Sequence, residues 1–464
     1  MRVINFTGDT WCVRADEGDA VDDAARIADA LGRLVLRNHG QASVYVGYDA
    51  RPLSAAAART AADILAARGV RARLSDVHCP TAALCEATRR DGGARAALMV
   101  TAGTRSGDYF GVRVRMADGS AATPSDVDVL EELIEPRLPD ARGTAEPVDL
   151  MTPYLERLAH GADASVFGGR VPAIVCDPML GAQTSHAARL LASYGARVIE
   201  LHDDDEEGFG GIHPEVVEPW IDDCEQAVVD YGADFGIAID GAGDRLALVD
   251  ERGKMVTPHL LVALIMEELV HGRGLAGRMV APIFVSTVVR RQAKRLGLPL
   301  TITPAGFMWM REEMGQGDVI CAADALGGVC IPALGLERDA LAAASVLVEG
   351  LVRDGRNVSA KVDELSAKLG HMEYGQTAVR MGSGSMQVLR NALPGINPAK
   401  VAGMAPSEVT HPGGLMVRFP NESWLLVRPS RTSNVARVYA EAATASERDE
   451  LLAAGRALAS SPLS

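Results

Sequence analysis

The stretch that most constrains this chain is residues 98–116, LMVTAGTRSGDYFGVRVRM. Ala97-Leu98-Met99-Val100 is apolar throughout and reads as a fully buried strand. Residues 101–108 are polar, and a second strand with alternating side chains follows. In open α/β sheets ligands gather beyond the carboxyl ends of strands, so Thr101-Ala102-Gly103-Thr104-Arg105-Ser106 lies where chemistry is expected.

The flanking sequence supplies the sheet. Residues 21–38 carry apolar positions at helical spacing, 43–47 read as a buried strand, 54–68 as an alanine-rich helix, 70–75 as a strand and 81–90 as a helix. This alternation predicts a parallel sheet with helices packed on its faces. Strands at 170–176, 196–201, 232–240 and 247–250, with a helix at 183–194, form a second unit. Helices at 259–270, 288–296, 308–314 and 339–353 alternate with strands at 279–285, 300–303 and 319–322 in a third. After His371 come strands at 414–419, 423–428 and 436–440 and a helix at 446–459.

Charge and cysteine usage exclude several function classes. A net charge of -15 repels nucleic acid and anionic membrane, so an anionic substrate has to be caught by local positive groups. The seven cysteines are scattered, with no Cys-x-x-Cys pair, and read as reduced core residues of a cytoplasmic protein. No stretch has the length and apolarity of a membrane span. Gly208-Phe209-Gly210-Gly211-Ile212-His213 and Gly241-Ala242-Gly243 lack the strand–glycine–helix context of dinucleotide loops.

Four ordered stretches resemble the signature loops of the α-D-phosphohexomutases, the phosphoglucomutases and phosphomannomutases. They are the loop 101–106, Asp240-Gly241-Ala242-Gly243-Asp244-Arg245, Ala323-Asp324-Ala325-Leu326-Gly327-Gly328, and Arg428-Pro429-Ser430-Arg431-Thr432-Ser433-Asn434. Framework residues Tyr48-Asp49-Ala50-Arg51, Thr303-Pro304-Ala305-Gly306-Phe307 and Glu337-Arg338-Asp339 extend the likeness over essentially the whole chain. The resemblance implies an α/β fold of four domains around a central cleft. Three are αβα sandwiches, 1–142, 143–253 and 254–370, and the fourth, 371–464, is a smaller α+β domain that binds phosphate.

The resemblance also implies a mechanism, and this chain departs from it at each loop. The family's Thr-Ala-Ser-His-Asn-Pro serine relays a phosphoryl group between sugar hydroxyls. Gly103 stands at that serine, so standard mutase activity is expected to be lost; Thr101, Thr104 and Ser106 are displaced by at least one residue, and in-line transfer tolerates little displacement. The family's three carboxylates of Asp-Gly-Asp-Gly-Asp-Arg hold Mg²⁺; here Asp240 and Asp244 remain and Ala242 replaces the middle ligand. The expectation is a weakly bound Mg²⁺ or no ion, with Asp244 paired to Arg245. In the sugar loop Asp324 is a shorter carboxylate and Leu326 cannot hydrogen-bond. Arg113 stands where a lysine is a candidate proton carrier, and arginine holds its proton. Cys12 replaces an arginine near the amino terminus. The phosphate cradle is the least altered, with Arg428, Ser430, Arg431 and Thr432 able to hold an anion.

Two readings stay open on these residues. One is a protein that binds a phosphosugar-like ligand, alone, as a homo-oligomer or beside an active relative, without the phosphoserine mechanism. The other is an enzyme of altered chemistry drawing on Thr104, Asp108, Arg113, Asp240, Asp244 or Asp324, or a residual mutase with another phosphoacceptor.

Overall fold

The computed structural model describes residues 3–137, 143–169, 171–204, 207–430 and 434–460. The chain divides into two compact units, Met1–Arg278 with Arg311–Val362, and Met279–Met310 with Asp363–Ser464.

The first unit begins with a six-stranded sheet of β1 (Thr10–Arg14), β2 (Ser43–Tyr48), β3 (Arg71–Ser75), β4 (Ala94–Val100), β5 (Tyr109–Met116) and β6 (Glu146–Val148), in the order β1-β5-β4-β2-β3-β6. β2, β3, β4 and β6 are parallel, as the strand–helix alternation predicts. The sheet is nevertheless mixed, because β5 returns antiparallel to β4 and β1 antiparallel to β5. Residues 101–108 are too few for the helical crossover that a parallel return requires. Helices Ala20–His39 and Ser54–Ala67 pack on each other and on the sheet. The second is SAAAARTAADILAA: alanine favours the helix, and its small side chain lets Ala57, Ala58, Ala61 and Ala62 pack closely.

A second sheet holds β7 (Ala173–Asp177), β8 (Arg197–Glu200), β9 (Phe235–Ile239), β10 (Leu246–Val249) and β11 (Met255–Val256), ordered β11-β10-β9-β7-β8. β9 and β10 form an antiparallel hairpin whose turn is residues 240–245. Strands Val319–Ala323 and Val329–Cys330 make another hairpin around residues 324–328. Some helices form without a clear apolar period. Pro124–Glu132 buries only Val127 and Leu130, and is started by a capping box of Thr123 and Asp126 with Pro124 in its first turn.

The second unit carries an antiparallel sheet in the order Glu373–Arg380, Val435–Ala442, Trp424–Pro429, Leu415–Arg418, Glu408–Thr410. Helices Ser383–Ala392 and Ala445–Ser460 contribute Met386, Leu389 and Leu451 to a core with Leu425, Val427, Val438 and Ala440. Among the described residues no helix is long and apolar enough to cross a membrane.

Candidate active site

β4 is buried along nearly its whole length and delivers the loop that follows it. Arg51 holds that loop in shape. Its guanidinium pairs with Asp49 at 2.9 Å and donates to the carbonyls of Arg105 and Ser106, both at 2.6 Å, and of Gly103. It also lies over the Phe209 ring, 5.0 Å from the centroid. Three carbonyl contacts from one buried side chain fix the backbone of the turn, so Tyr48-Asp49-Ala50-Arg51 is a clamp rather than neutral framework. Gly103 sits within it at φ +66°, a left-handed conformation that glycine adopts without steric penalty. Its N–H donates to Thr101 Oγ1 at 3.0 Å. Thr104 and Ser106 are half-buried beyond it.

The period of β5 then decides which side chains meet the loop. Phe110, Val112 and Val114 enter the hydrophobic core, so Gly111, Arg113 and Arg115 point to the opposite face. Arg113 Nη1 donates to Asp244 Oδ2 at 3.1 Å and to Thr81 Oγ1 at 3.2 Å. A Cβ built on Gly103 would lie 2.5 Å from Arg113 Nη2. The space of a side chain at position 103 therefore holds a guanidinium. Arg115 is only 2% exposed and bridges Asp9 and Glu337, the latter at 2.9 Å.

The β9–β10 turn contributes the carboxylates. Asp240 Oδ1 accepts the N–H of Asp244 at 2.7 Å and of Arg245 at 3.1 Å. Burial and the neighbouring Asp244 push the Asp240 carboxyl up to about 7. Asp244 behaves oppositely: burial alone would raise it, but Arg113 and Arg338, the latter at 3.6 Å, hold it below the usual carboxylate range. The expected pairing of Asp244 with Arg245 is not formed. Arg245 reaches Glu215 instead, at 3.1 Å, because successive side chains leave the turn in different directions while β5 presents Arg113 to Asp244.

These residues do not fit the divalent ion that the family resemblance implies. Ala242, 1% exposed, contributes no oxygen; Asp240 Oδ1 is committed to the backbone; and a guanidinium holds Asp244 Oδ2. Among the described residues no group of three His, Cys, Asp or Glu side chains could hold a metal. Octahedral Mg²⁺ wants several oxygens turned to one point.

Backbone hydrogen bonds join this turn to the next hairpin. Arg245 and Gly328 form a β-bridge, Leu246 N–H donates to Gly327 O at 3.1 Å, and Ala340 N–H donates to Gly243 O at 3.0 Å. Asp324 Oδ1 accepts the N–H of Leu326 and Gly328, at 2.8 and 3.0 Å, and so shapes its own loop. Leu326 is half-buried. Three of the four sequence-marked loops thus meet in the first unit.

The fourth belongs to the second unit. Arg428 is half-buried at the end of its strand, and its Nε is a buried atom with no hydrogen-bond partner among the described residues. Ser430 is buried; its N–H donates to Val435 O at 2.8 Å, closing the turn, and its carbonyl accepts from Arg390 Nη2 at 2.8 Å. Arg431 and Thr432 lie outside the described residues.

Sequence reasoning did not single out Arg51, Arg115, Arg338 or Arg390 as site residues. Arg115 carries a signal in retrospect, two positions beyond Arg113 on an alternating strand. Arg390 carries none, since its contact with Ser430 spans 40 residues.

A mixed α/β frame that gathers a strand–turn, a carboxylate hairpin and a second hairpin around one polar cluster is that of a sugar-phosphate mutase. Three family models match: phosphoglucomutase/phosphomannomutase alpha/beta/alpha domain I over residues 12–138, domain II over 152–253 and domain III over 257–369. The chain belongs to the phosphoglucomutase/phosphomannomutase family, and its fold is the four-domain phosphohexomutase architecture. It is 26% identical over 387 residues to a Thermococcus kodakarensis phosphoglucomutase/phosphomannomutase, covering 81% of each chain. It is 28% identical to a Methanosarcina barkeri protein assigned as a phosphoglucosamine mutase, over 74% of this chain and 76% of the other. The crystal structure of a Thermus thermophilus protein assigned as a phosphomannomutase superposes with a TM-score of 0.86 at 26% identity, covering 98% of this chain and 99% of that one.

Proposed function

We propose that this chain is a phosphohexomutase-family protein that binds a phosphorylated sugar and does not run the phosphoserine relay. One observation carries the reading: position 103 is a glycine at φ +66° whose side-chain space is filled by Arg113. A relay has to store a phosphoryl group on an oxygen in line with the acceptor, and no oxygen is there. Two of the other candidates are already engaged. Arg113 is tied to Asp244, and Asp324 Oδ1 accepts two backbone N–H groups. Binding is carried by Arg428 and Ser430 with Arg431 and Thr432 of the same loop, a charged fork and hydroxyls suited to a phosphate. The names of the relatives support hexose or hexosamine phosphates as the ligand class. A cytoplasmic location is supported by the seven cysteines, all free.

The test pairs binding with turnover. Glucose 1-phosphate, mannose 1-phosphate and glucosamine 1-phosphate are titrated by calorimetry, and interconversion with the 6-phosphates is assayed with Mg²⁺ and hexose 1,6-bisphosphate. Binding without turnover and an unphosphorylated intact mass is the expected result. Turnover at an ordinary mutase rate, or phosphate esterified to Thr101, Thr104 or Ser106, overturns it.

A further inference from the structure

We infer that the Arg113 guanidinium is a built-in cation standing in place of the divalent metal, so that this site excludes metal and the chain binds phosphorylated ligands without it.

Three independent features of the first unit lead there. Arg113 Nη1 lies 3.1 Å from Asp244 Oδ2, the contact a carboxylate would otherwise give an ion. Its Nη2 fills the space beside Gly103, from which the family's serine would act. The middle carboxylate of the turn is absent, with Ala242 fully buried in its place. Each change alone would weaken a metal site, and together they replace it with a fixed positive group.

The guanidinium is also held in position. Thr81 Oγ1 accepts from the same Nη1, and the arginine stem rises from β5, paired on both sides by β1 and β4. Arg338 adds a second guanidinium 3.6 Å from the same Asp244 oxygen. A divalent ion brought to Asp244 would meet both positive groups, and arginine cannot shed its charge to admit it. A metal ion can dissociate, whereas this cation is covalently part of the chain. Asp240 Oδ2 and Asp244 Oδ1 are buried with no hydrogen-bond partner among the described residues, so they are the oxygens through which an ion would have to bind.

The metal arm of the proposal stands by itself, and the ligand arm rests on the binding reading above. Mn²⁺ binding to the full chain is followed by electron paramagnetic resonance and equilibrium dialysis. The wild type is expected to show no saturable site up to millimolar Mn²⁺. Arg113→Met combined with Ala242→Asp is expected to gain one site per chain, at least about tenfold tighter than any wild-type binding, since a buried like charge is removed and a ligand restored. One saturable Mn²⁺ per wild-type chain that disappears in Asp244→Asn overturns the proposal, as does a folded double variant that binds no better than wild type. The wild-type measurement decides even where the double variant fails to fold. In parallel, thermal stabilisation by glucose 1-phosphate is compared in EDTA and in Mg²⁺. Equal stabilisation supports the built-in cation. Stabilisation only with Mg²⁺ overturns it while leaving the binding reading intact; no stabilisation in either overturns the binding reading and leaves the Mn²⁺ result to decide the cation.

Discussion

The polar cluster of the first unit and the Arg428 loop of the second differ in how far their charges are already satisfied. In the first, Asp244 is held by Arg113 and Arg338, Glu337 by Arg115, and Arg51 by Asp49 and loop carbonyls. In the second, the buried Nε of Arg428 has no hydrogen-bond partner among the described residues. A network of ion pairs at this density is a structural device, although Arg115 Nε, Asp240 Oδ2 and Asp244 Oδ1 are also buried in it with no hydrogen-bond partner among the described residues. The half-buried Arg428 guanidinium is the group proposed above to hold a phosphate. The two regions thus differ in pairing: beside Gly103 and Ala242 the arginines are held by carboxylates, whereas Arg428 is half-buried with no ion pair among the described residues.

The largest effect that would break this comparison is on Arg115. Arg115→Ala strips the buried Glu337 of its nearer guanidinium, leaving Arg338 at 3.9 Å, and strands the half-buried Asp9, and a loss of about 3–5 kcal/mol in the urea-unfolding free energy of the first unit is expected. A near-neutral result would show that the network is not structural.

A smaller effect concerns His186, whose ring lies 5.7 Å from that of His78. Burial, with the neighbouring His78, pulls it down to about 4 from an ordinary 6.5. Above pH 6.5 neither state binds the proton; between pH 6.5 and 4 the unfolded chain takes it and the native chain does not, so stability falls as pH drops through that window. The linkage amounts to about 3 kcal/mol, and His186→Gln is expected to flatten the stability–pH profile between those limits.

Arg428→Ala is expected to weaken glucose 1-phosphate binding by about 1.5–3 kcal/mol, the range for hydrogen bonds to charged groups. It is expected to leave the melting temperature nearly unchanged. If affinity survives, Arg428 is not what holds the phosphate. Smallest is Gly103→Ser, where a side chain at φ +66° costs about 1–2 kcal/mol and Arg113 Nη2 has to move. It is expected to lower the melting temperature by a few degrees and to leave the chain unphosphorylated and mutase activity at the wild-type value. Phosphate on the new serine would show that the displaced guanidinium had been the only obstacle.

Local sequence is legible where an element is built from its own residues. Helix Thr81–Arg90 and strand Leu300–Thr303 fall where their sequence patterns place them. Helix Pro124–Glu132 escapes the pattern because its first-turn cap, rather than an apolar stripe, sets its start. Gly103, Ala242 and Leu326 were legible as departures from the family because each is a chemical absence at a numbered position. Their replacement was not. That Arg113 would turn from β5 onto Asp244, 131 residues away, depends on two sheets meeting.

By itself the sequence determined the family frame and which side chains stand in each marked loop, because strand period, turn chemistry and side-chain identity are properties of short segments. Only the tertiary structure decided what fills the vacated positions. Charge neutralisation in a buried site is set by distances of about 3 Å between elements far apart in the chain, and no local pattern encodes such a distance.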